Sequence, residues 1–214
     1  MEPSAMEMRQ NYIAQIKRPD KEMRNHSGES MRSFYVARLS ELDKSVLDAA
    51  TQTLFADLIE KDEDEWVRLE AAAEVGYLPL TEGILPRVTG LLEKCRTDER
   101  VNFQVLASQS LLIIAKKRNR TNVQAEKTLA GIAQGRDMAN WKVMIPLHNV
   151  GTTAMDPTSK TQIPIEEFFK MNLRNTAISA LSIAKDEFSK KTLTELAKDG
   201  NAWVSETARS ALAH

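Results

Sequence analysis

Cysteine is nearly missing from this chain of 214 residues: Cys95 is the only one. A single thiol forms no intramolecular disulfide and no thiolate zinc site, which suits a reducing compartment. Glycine and proline are scarce, at eight and seven residues, against a usual combined share of about 12%. So few turn formers argue against a sandwich or barrel of many short strands. Long apolar runs are missing too. The longest, Leu111-Leu112-Ile113-Ile114-Ala115, is far short of the roughly 20 residues that span a bilayer. The opening Met1-Glu2-Pro3-Ser4-Ala5-Met6-Glu7 has neither the basic start nor the apolar core of a signal peptide. A soluble cytoplasmic protein with no membrane association is the expectation.

Catalytic and ligand-binding signatures are equally thin. His26, His148 and His214 lie far apart, so no metal-ligand spacing arises. The glycines are too scattered for a phosphate-binding loop. Cys95 falls near a helix C-terminus, the wrong end to stabilise a thiolate, and reads as a small apolar filler. Asp62-Glu63-Asp64-Glu65 reads as helix-start chemistry, where anions offset the N-terminal dipole. The residues thus point to no cofactor, no metal and no enzyme.

What the sequence does contain is a core and a period. Hydrophobic residues make up 42% and charged residues 28%, enough apolar material to bury and too little charge imbalance for disorder. Apolar residues recur at helical spacing, as in Val46, Leu47, Ala50, Leu54 and Leu58 or Val204, Ala208, Ala211 and Leu212. The spacing predicts helices over 4–17, 31–42, 45–60, 65–78, 82–95, 99–118, 122–135, 139–150, 164–170, 172–184, 187–198 and 202–213. Ser4 with Glu7, and Thr121 with Gln124, have capping-box form. Residues 151–161 have loop composition, and 18–30 is a second polar stretch. The expected organisation is an N-terminal helix, cap and flexible segment over 1–30, then a repeat domain over 31–214.

The repeat is carried by Asp-x-x-x-Trp, which occurs at Asp62/Trp66, Asp137/Trp141 and Asp199/Trp203. These are all three tryptophans of the chain. Asp98-Glu99-Arg100-Val101, Asn172-Leu173-Arg174 and Tyr35-Val36-Ala37-Arg38 fall into the same register. Two helices per period of 31 to 41 residues form a unit that cannot bury its apolar stripe alone and must stack on neighbours. Val67/Ala71 and Val204/Ala208 place a small residue where adjacent helices approach.

Asp64-Glu65-Trp66-Val67-Arg68-Leu69-Glu70-Ala71-Ala72 resembles a HEAT repeat at the turn into its second helix. Pro86 resembles the proline of a HEAT first helix. The chain is more similar to short bacterial HEAT-like arrays than to long importin-type ones. The resemblance implies an all-α fold, a right-handed α-solenoid of five to six antiparallel helical hairpins. It also implies an arginine–aspartate ladder between repeats. Arg68 and Arg174 keep the arginine, while Lys142 and Ser205 stand in its place, so the ladder is incomplete.

By the same resemblance the second helices, 31–42, 65–78, 99–118, 139–150, 172–184 and 202–213, line a concave face. Their first turns carry Tyr35, Trp66, Arg100, Trp141, Asn172 and Trp203. The aromatics among them either plug gaps between repeats or form a row of partner anchors; Tyr35, Trp66, Arg68, Arg100, Trp141, Lys142 and Trp203 are the candidate partner-binding residues. Charge is biased along the chain: net −8 over 41–100 and +5 over 101–145. Lys116, Lys117, Arg118 and Arg120 form a basic patch. The expected function is a scaffold, adaptor or regulator that holds a protein partner. The alternative is a HEAT-like glycosylase of alkylation repair or another nucleic-acid binder, with Trp66, Trp141, Arg136 and Asp137 in the site. Against it stand a sequence pI of about 6.4 and the lack of an overall basic face. A bilin-lyase-like subunit is a second alternative, by fold analogy alone. Oligomeric state leaves no signal in the sequence.

Overall fold

A computed structural model describes residues 3–24, 30–146 and 149–213. His26, His148 and His214 lie outside the described residues. The fold is all-helical, with ten α-helices and one small two-stranded sheet among the described residues. None of these helices is long and apolar enough to cross a membrane. The chain divides into two compact units, residues 1–95 and 96–214.

The first unit holds α1 (Ala5–Ile16), α2 (Met31–Ser40), α3 (Ala49–Lys61), α4 (Glu65–Glu74) and α5 (Leu85–Arg96, whose last residue falls in the second unit). Side-chain caps set several of the starts. Ser4 forms the expected capping box with Glu7, Asp48 accepts from the Thr51 amide, and Asp64 accepts from the amides of Trp66 and Val67. Each satisfies backbone donors that the first helical turn leaves unpaired. Helix α2 packs on α1 and on α4, and α3 packs on α4. Ile16, Val36, Leu39, Phe55, Ala56, Val67, Ala71 and Ala72 are fully buried. The alanines of the Val-x-x-x-Ala spacing thus lie in the core, where a small side chain permits close helix approach.

The second unit holds α6 (Val101–Lys117), α7 (Val123–Ala133), α8 (Ile165–Leu181), α9 (Glu187–Leu196) and α10 (Ala202–Leu212). Here α7 packs on α6 and α8, α8 packs on α6 and α10, and α9 packs on α10, α8 and α7. Phe103, Val105, Leu129, Ala177, Ile178, Leu181 and Val204 form much of its core. Asn122, not Thr121, caps α7, through the Ala125 amide.

Two expected elements are corrected. Among the described residues of 139–150 there is no α-helix. Gly135 and Asp137 both take positive φ, +67° and 56°, a left-handed conformation that ends the helix. A single 3-10 turn, Met138–Asn140, follows, and the chain then runs extended beside the start of α6. There the Val101 amide donates to the Lys142 carbonyl (2.9 Å). The Asn102 carboxamide accepts from the Met144 amide (2.7 Å) and donates to its carbonyl (3.4 Å). The stretch is apolar at helical spacing, but its amide groups are taken by α6. The chain then forms an antiparallel hairpin, β1 (Thr153–Met155) with β2 (Gln162–Pro164), around the expected loop. In the second correction, 164–170 and 172–184 are one continuous helix, α8. Asn172 is therefore mid-helix and opens nothing.

Candidate functional site

The register residues fall into different local settings. Trp66 and Trp203 are each the second residue of a helix, α4 and α10, as the repeat predicts. Arg100 is the N-cap of α6 and makes no side-chain cap bond. Tyr35 sits at the fifth position of α2 rather than in its first turn. Trp141 lies in the extended segment that replaces the expected helix.

Their contacts are mostly internal. In the first unit the Tyr35 ring lies 5.9 Å from that of Tyr12 on α1 and 5.4 Å from Phe34. In the second unit Trp203 stacks on Phe168 of α8, with centroids 6.0 Å apart and planes at 30°. The Trp141 indole N–H donates to the Arg136 carbonyl at 2.9 Å. Arg100 grips Asp98 through Nε (2.8 Å) and Nη2 (3.0 Å), and its guanidinium carbon lies 4.6 Å over the Phe103 ring. Lys142 pairs with Glu99 at 2.5 Å on an exposed surface, where an ion pair contributes little stability.

A recurring module does emerge. In the first unit Arg32 Nε donates to the carbonyl of Ile16, the last residue of α1 (2.8 Å). Its two terminal nitrogens hold both carboxylate oxygens of Asp62. Asp62 in turn accepts from the backbone N–H of Asp64 (3.0 Å). In the second unit Arg174 Nε donates to the carbonyl of Ala133, the last residue of α7 (2.7 Å). Its Nη2 holds Asp199 at 2.5 Å, and Asp199 accepts from the backbone N–H of Asn201 (2.8 Å). Each arginine therefore joins a helix end to the aspartate of a later turn, and each aspartate also shapes its own turn. Arg68 follows the first half of the pattern, reaching the Ile59 carbonyl at 3.3 Å. Arg32 escapes a register search because it stands outside the Asp-x-x-x-Trp frame; an arginine 30 residues before Asp62 was the available signal.

The basic residues occupy the C-terminal end of α6, where cations complement the negative end of the helix dipole. Lys116 and Arg120 also line a cavity of about 190 Å³ whose wall includes Glu126 of α7. Glu126 is only 2% exposed. Burial, followed by a hydrogen bond to Asp186, pushes its carboxyl up to about 7. Asp186 is held below its usual range: burial raises it, but the Ser189 amide and Glu126 outweigh that. Below about pH 7 this arrangement favours a protonated Glu126 carboxyl donating to the Asp186 carboxylate.

A second perturbed carboxyl lies in the first unit. Burial, and then the charge of Glu74, pushes Glu70 on α4 up to about 7. Glu74 is itself raised, chiefly by burial, and accepts from the Ser40 hydroxyl at 2.6 Å. Paired carboxyls of this kind can hold a proton near neutral pH. Among the described residues no three His, Cys, Asp or Glu side chains are grouped to hold a metal ion. Cys95 is buried.

No protein-family model matches the chain, and no curated protein is significantly similar to it.

Proposed function

We propose that this protein is a non-enzymatic scaffold or regulator, built as a HEAT-like solenoid of helical hairpins, that holds a protein partner. The observation that carries the reading is the arginine–carbonyl–aspartate module formed by Arg32 with Asp62 and again by Arg174 with Asp199. A contact set that recurs between successive hairpins is what a stack of similar units requires. Alternate helices also lie side by side within each unit, α2 beside α4 in the first and α6, α8 and α10 in the second. Such a layer offers surface without needing a cofactor. Tyr35, Trp66, Trp141 and Trp203 are half-buried, so each has ring surface left over, and aromatic residues of this kind dominate binding hot spots. The acidic and basic stretches would orient a partner and speed its capture.

The test is capture of the partner from the source cell with tagged protein, followed by affinity measurement on the purified pair. Trp66→Ala or Trp141→Ala should weaken the complex at least tenfold while the melting temperature holds. Affinity should also fall as salt rises from low to physiological. A complex that disappears on nuclease treatment would instead support the nucleic-acid alternative, and turnover of a small molecule by the purified chain would overturn the scaffold reading.

A further inference from the structure

Two concavities of the second unit meet at the turn between α8 and α9. The smaller, about 190 Å³, is lined by Lys116 of α6, by Arg120 and Asn122 of the connection to α7, and by Ala184 of that turn. The larger, about 300 Å³, is at the lower end of the usual range of ligand sites. Ser182 and Lys185 of the same turn line it, with Leu181 of α8, Lys190 of α9 and Leu212 of α10. Together they form one edge of the unit, and the basic patch legible in the sequence supplies its first part.

The charge on this edge has one sign and is not spent internally. Lys116, Arg120 and Lys190 are exposed, and none of the three pairs with a carboxylate among the described residues. Cations elsewhere in the chain do pair: Arg87 holds Asp57 at 2.7 Å and Glu60 at 2.5 Å, and Lys170 holds Glu166 at 2.7 Å. Glu126 is the one carboxyl in either lining; it is buried, and burial suppresses its charge. Asp186 and Glu187, which follow Lys185, line neither concavity. Apolar surface accompanies the cations. Leu212 is exposed in the larger concavity, and so are Val123 and Phe188, next in sequence to the lining residues Asn122 and Ser189. Gathered apolar side chains bordered by charge mark interaction surfaces.

Complementarity fixes the chemistry of the occupant. Three unpaired cations match carboxylates, and the leucine-lined hollow between them matches aliphatic side chains; an acidic peptide segment carries both. Nucleic acid fits less well. No aromatic side chain lines either concavity, and single-strand binders stack bases on such rings. We infer that this edge of the second unit docks an acidic segment of a partner protein, with aliphatic side chains of that segment in the concavity between α8, α9 and α10 and its carboxylates on Lys116, Arg120 and Lys190. The inference rests on the scaffold reading above and adds to it a place and a chemistry.

The probe is the fluorescein-labelled peptide Glu-Leu-Asp-Glu-Leu-Leu-Asp-Glu-amide, titrated with full-length protein at low salt and followed by anisotropy. Binding should saturate. Lys116→Glu with Arg120→Glu sets like charges against the peptide and should weaken binding at least tenfold. Lys17→Glu with Lys21→Glu, an equal charge change at exposed residues of the first unit, should leave it within about threefold. Lys116→Gln with Arg120→Gln serves if the reversal fails to fold, and should still weaken binding more than the first-unit pair does. A peptide with serine in place of leucine should bind at least fivefold more weakly. No saturable binding, equal losses in the two double variants, or equal binding of the serine peptide overturns the inference. So does tighter binding of an oligothymidylate or of phosphatidylserine vesicles, which would make the edge a nucleic-acid or membrane surface. A captured partner that is lost with Trp66→Ala but retained by Lys116→Glu with Arg120→Glu would sink this site and leave the scaffold standing.

Discussion

Arg32 and Asp62, thirty residues apart in sequence, face each other as a two-pronged ion pair with only 8% and 6% of their side chains exposed. The third donor of the fork is fixed on the Ile16 carbonyl at 2.8 Å. Planarity makes this arrangement specific to arginine, because a lysine ammonium cannot address a carboxylate and a carbonyl in one plane. Removing one member leaves the other buried and unpaired, a loss of about 3–5 kcal/mol. Arg32→Met should therefore cost about 3 kcal/mol in urea denaturation. Adding Asp62→Asn, which keeps an acceptor for the Asp64 amide, should recover at least about 1 kcal/mol. Simple additivity of the two losses would show that the pair is not coupled.

Gly135 and Gly90 should respond in opposite directions to alanine. Gly135 takes φ +67°, and a Cβ there would stand 3.3 Å from Arg174 Nε. Gly135→Ala therefore strains the turn after α7 and presses on the guanidinium that holds Asp199. A loss of about 1–2 kcal/mol is expected, by analogy with the left-handed penalty for L-residues. Gly90 lies within α5 with nothing within 4 Å of an added Cβ. Gly90→Ala should stabilise by about 0.5–1 kcal/mol. Chemical denaturation of the two variants side by side checks both signs.

The helices were legible because burial follows period. Val67, Ala71, Val204 and Ala208 are fully buried where the Val-x-x-x-Ala spacing predicts. The segment after Asp137 was not legible, because its amphipathic spacing says nothing about competition for its backbone groups, which Asn102 and Val101 win. The stop at Gly135 and Asp137 depends on φ, and aspartate does not announce a left-handed conformation. The break expected before Asn172 came from extending the register across that same stretch. Arg174 stands two residues after the register position Asn172 and pairs with Asp199, so its part was open to a register search. Arg32 was missed because its frame differs, and the Glu126–Asp186 pair because its members, on α7 and before α9, are 60 residues apart in a sequence that gives no sign of their contact.

Helix α1 is expected to act as a structural cap rather than a detachable arm. Ile16 is fully buried, Met23 is nearly so, and Arg9 pairs with Asp48 at 2.5 Å. Burying a side chain the size of isoleucine stabilises by about 1.5–3 kcal/mol, and the deletion also removes the Ile16 carbonyl that receives Arg32. Deleting residues 1–29 should lower the melting temperature by about 10 °C or more. An unchanged melting curve with lost partner binding would point instead to a methionine-rich binding arm.

Glu126 makes a prediction about pH that follows from its burial. Its carboxyl, ordinarily near 4.5, is raised to about 7 in the fold. Between those values the folded chain holds a proton that the unfolded chain has released. Stability therefore falls as pH rises through this window and is level, for this group, on either side. A tenfold change in proton affinity corresponds to about 1.4 kcal/mol, so above about pH 7 the charged form costs the fold on the order of 3 kcal/mol. Glu70 contributes a slope of the same sign, so the parent curve alone does not isolate Glu126. Glu126→Gln does: the amide keeps a donor for Asp186 and has no charge to bury. The variant should match the parent near pH 4, gain on it progressively from about pH 5 to 7, and remain more stable at about pH 8. Parallel curves across that range would mean that Glu126 stays ionised in the fold, and that the proton between it and Asp186 is not there.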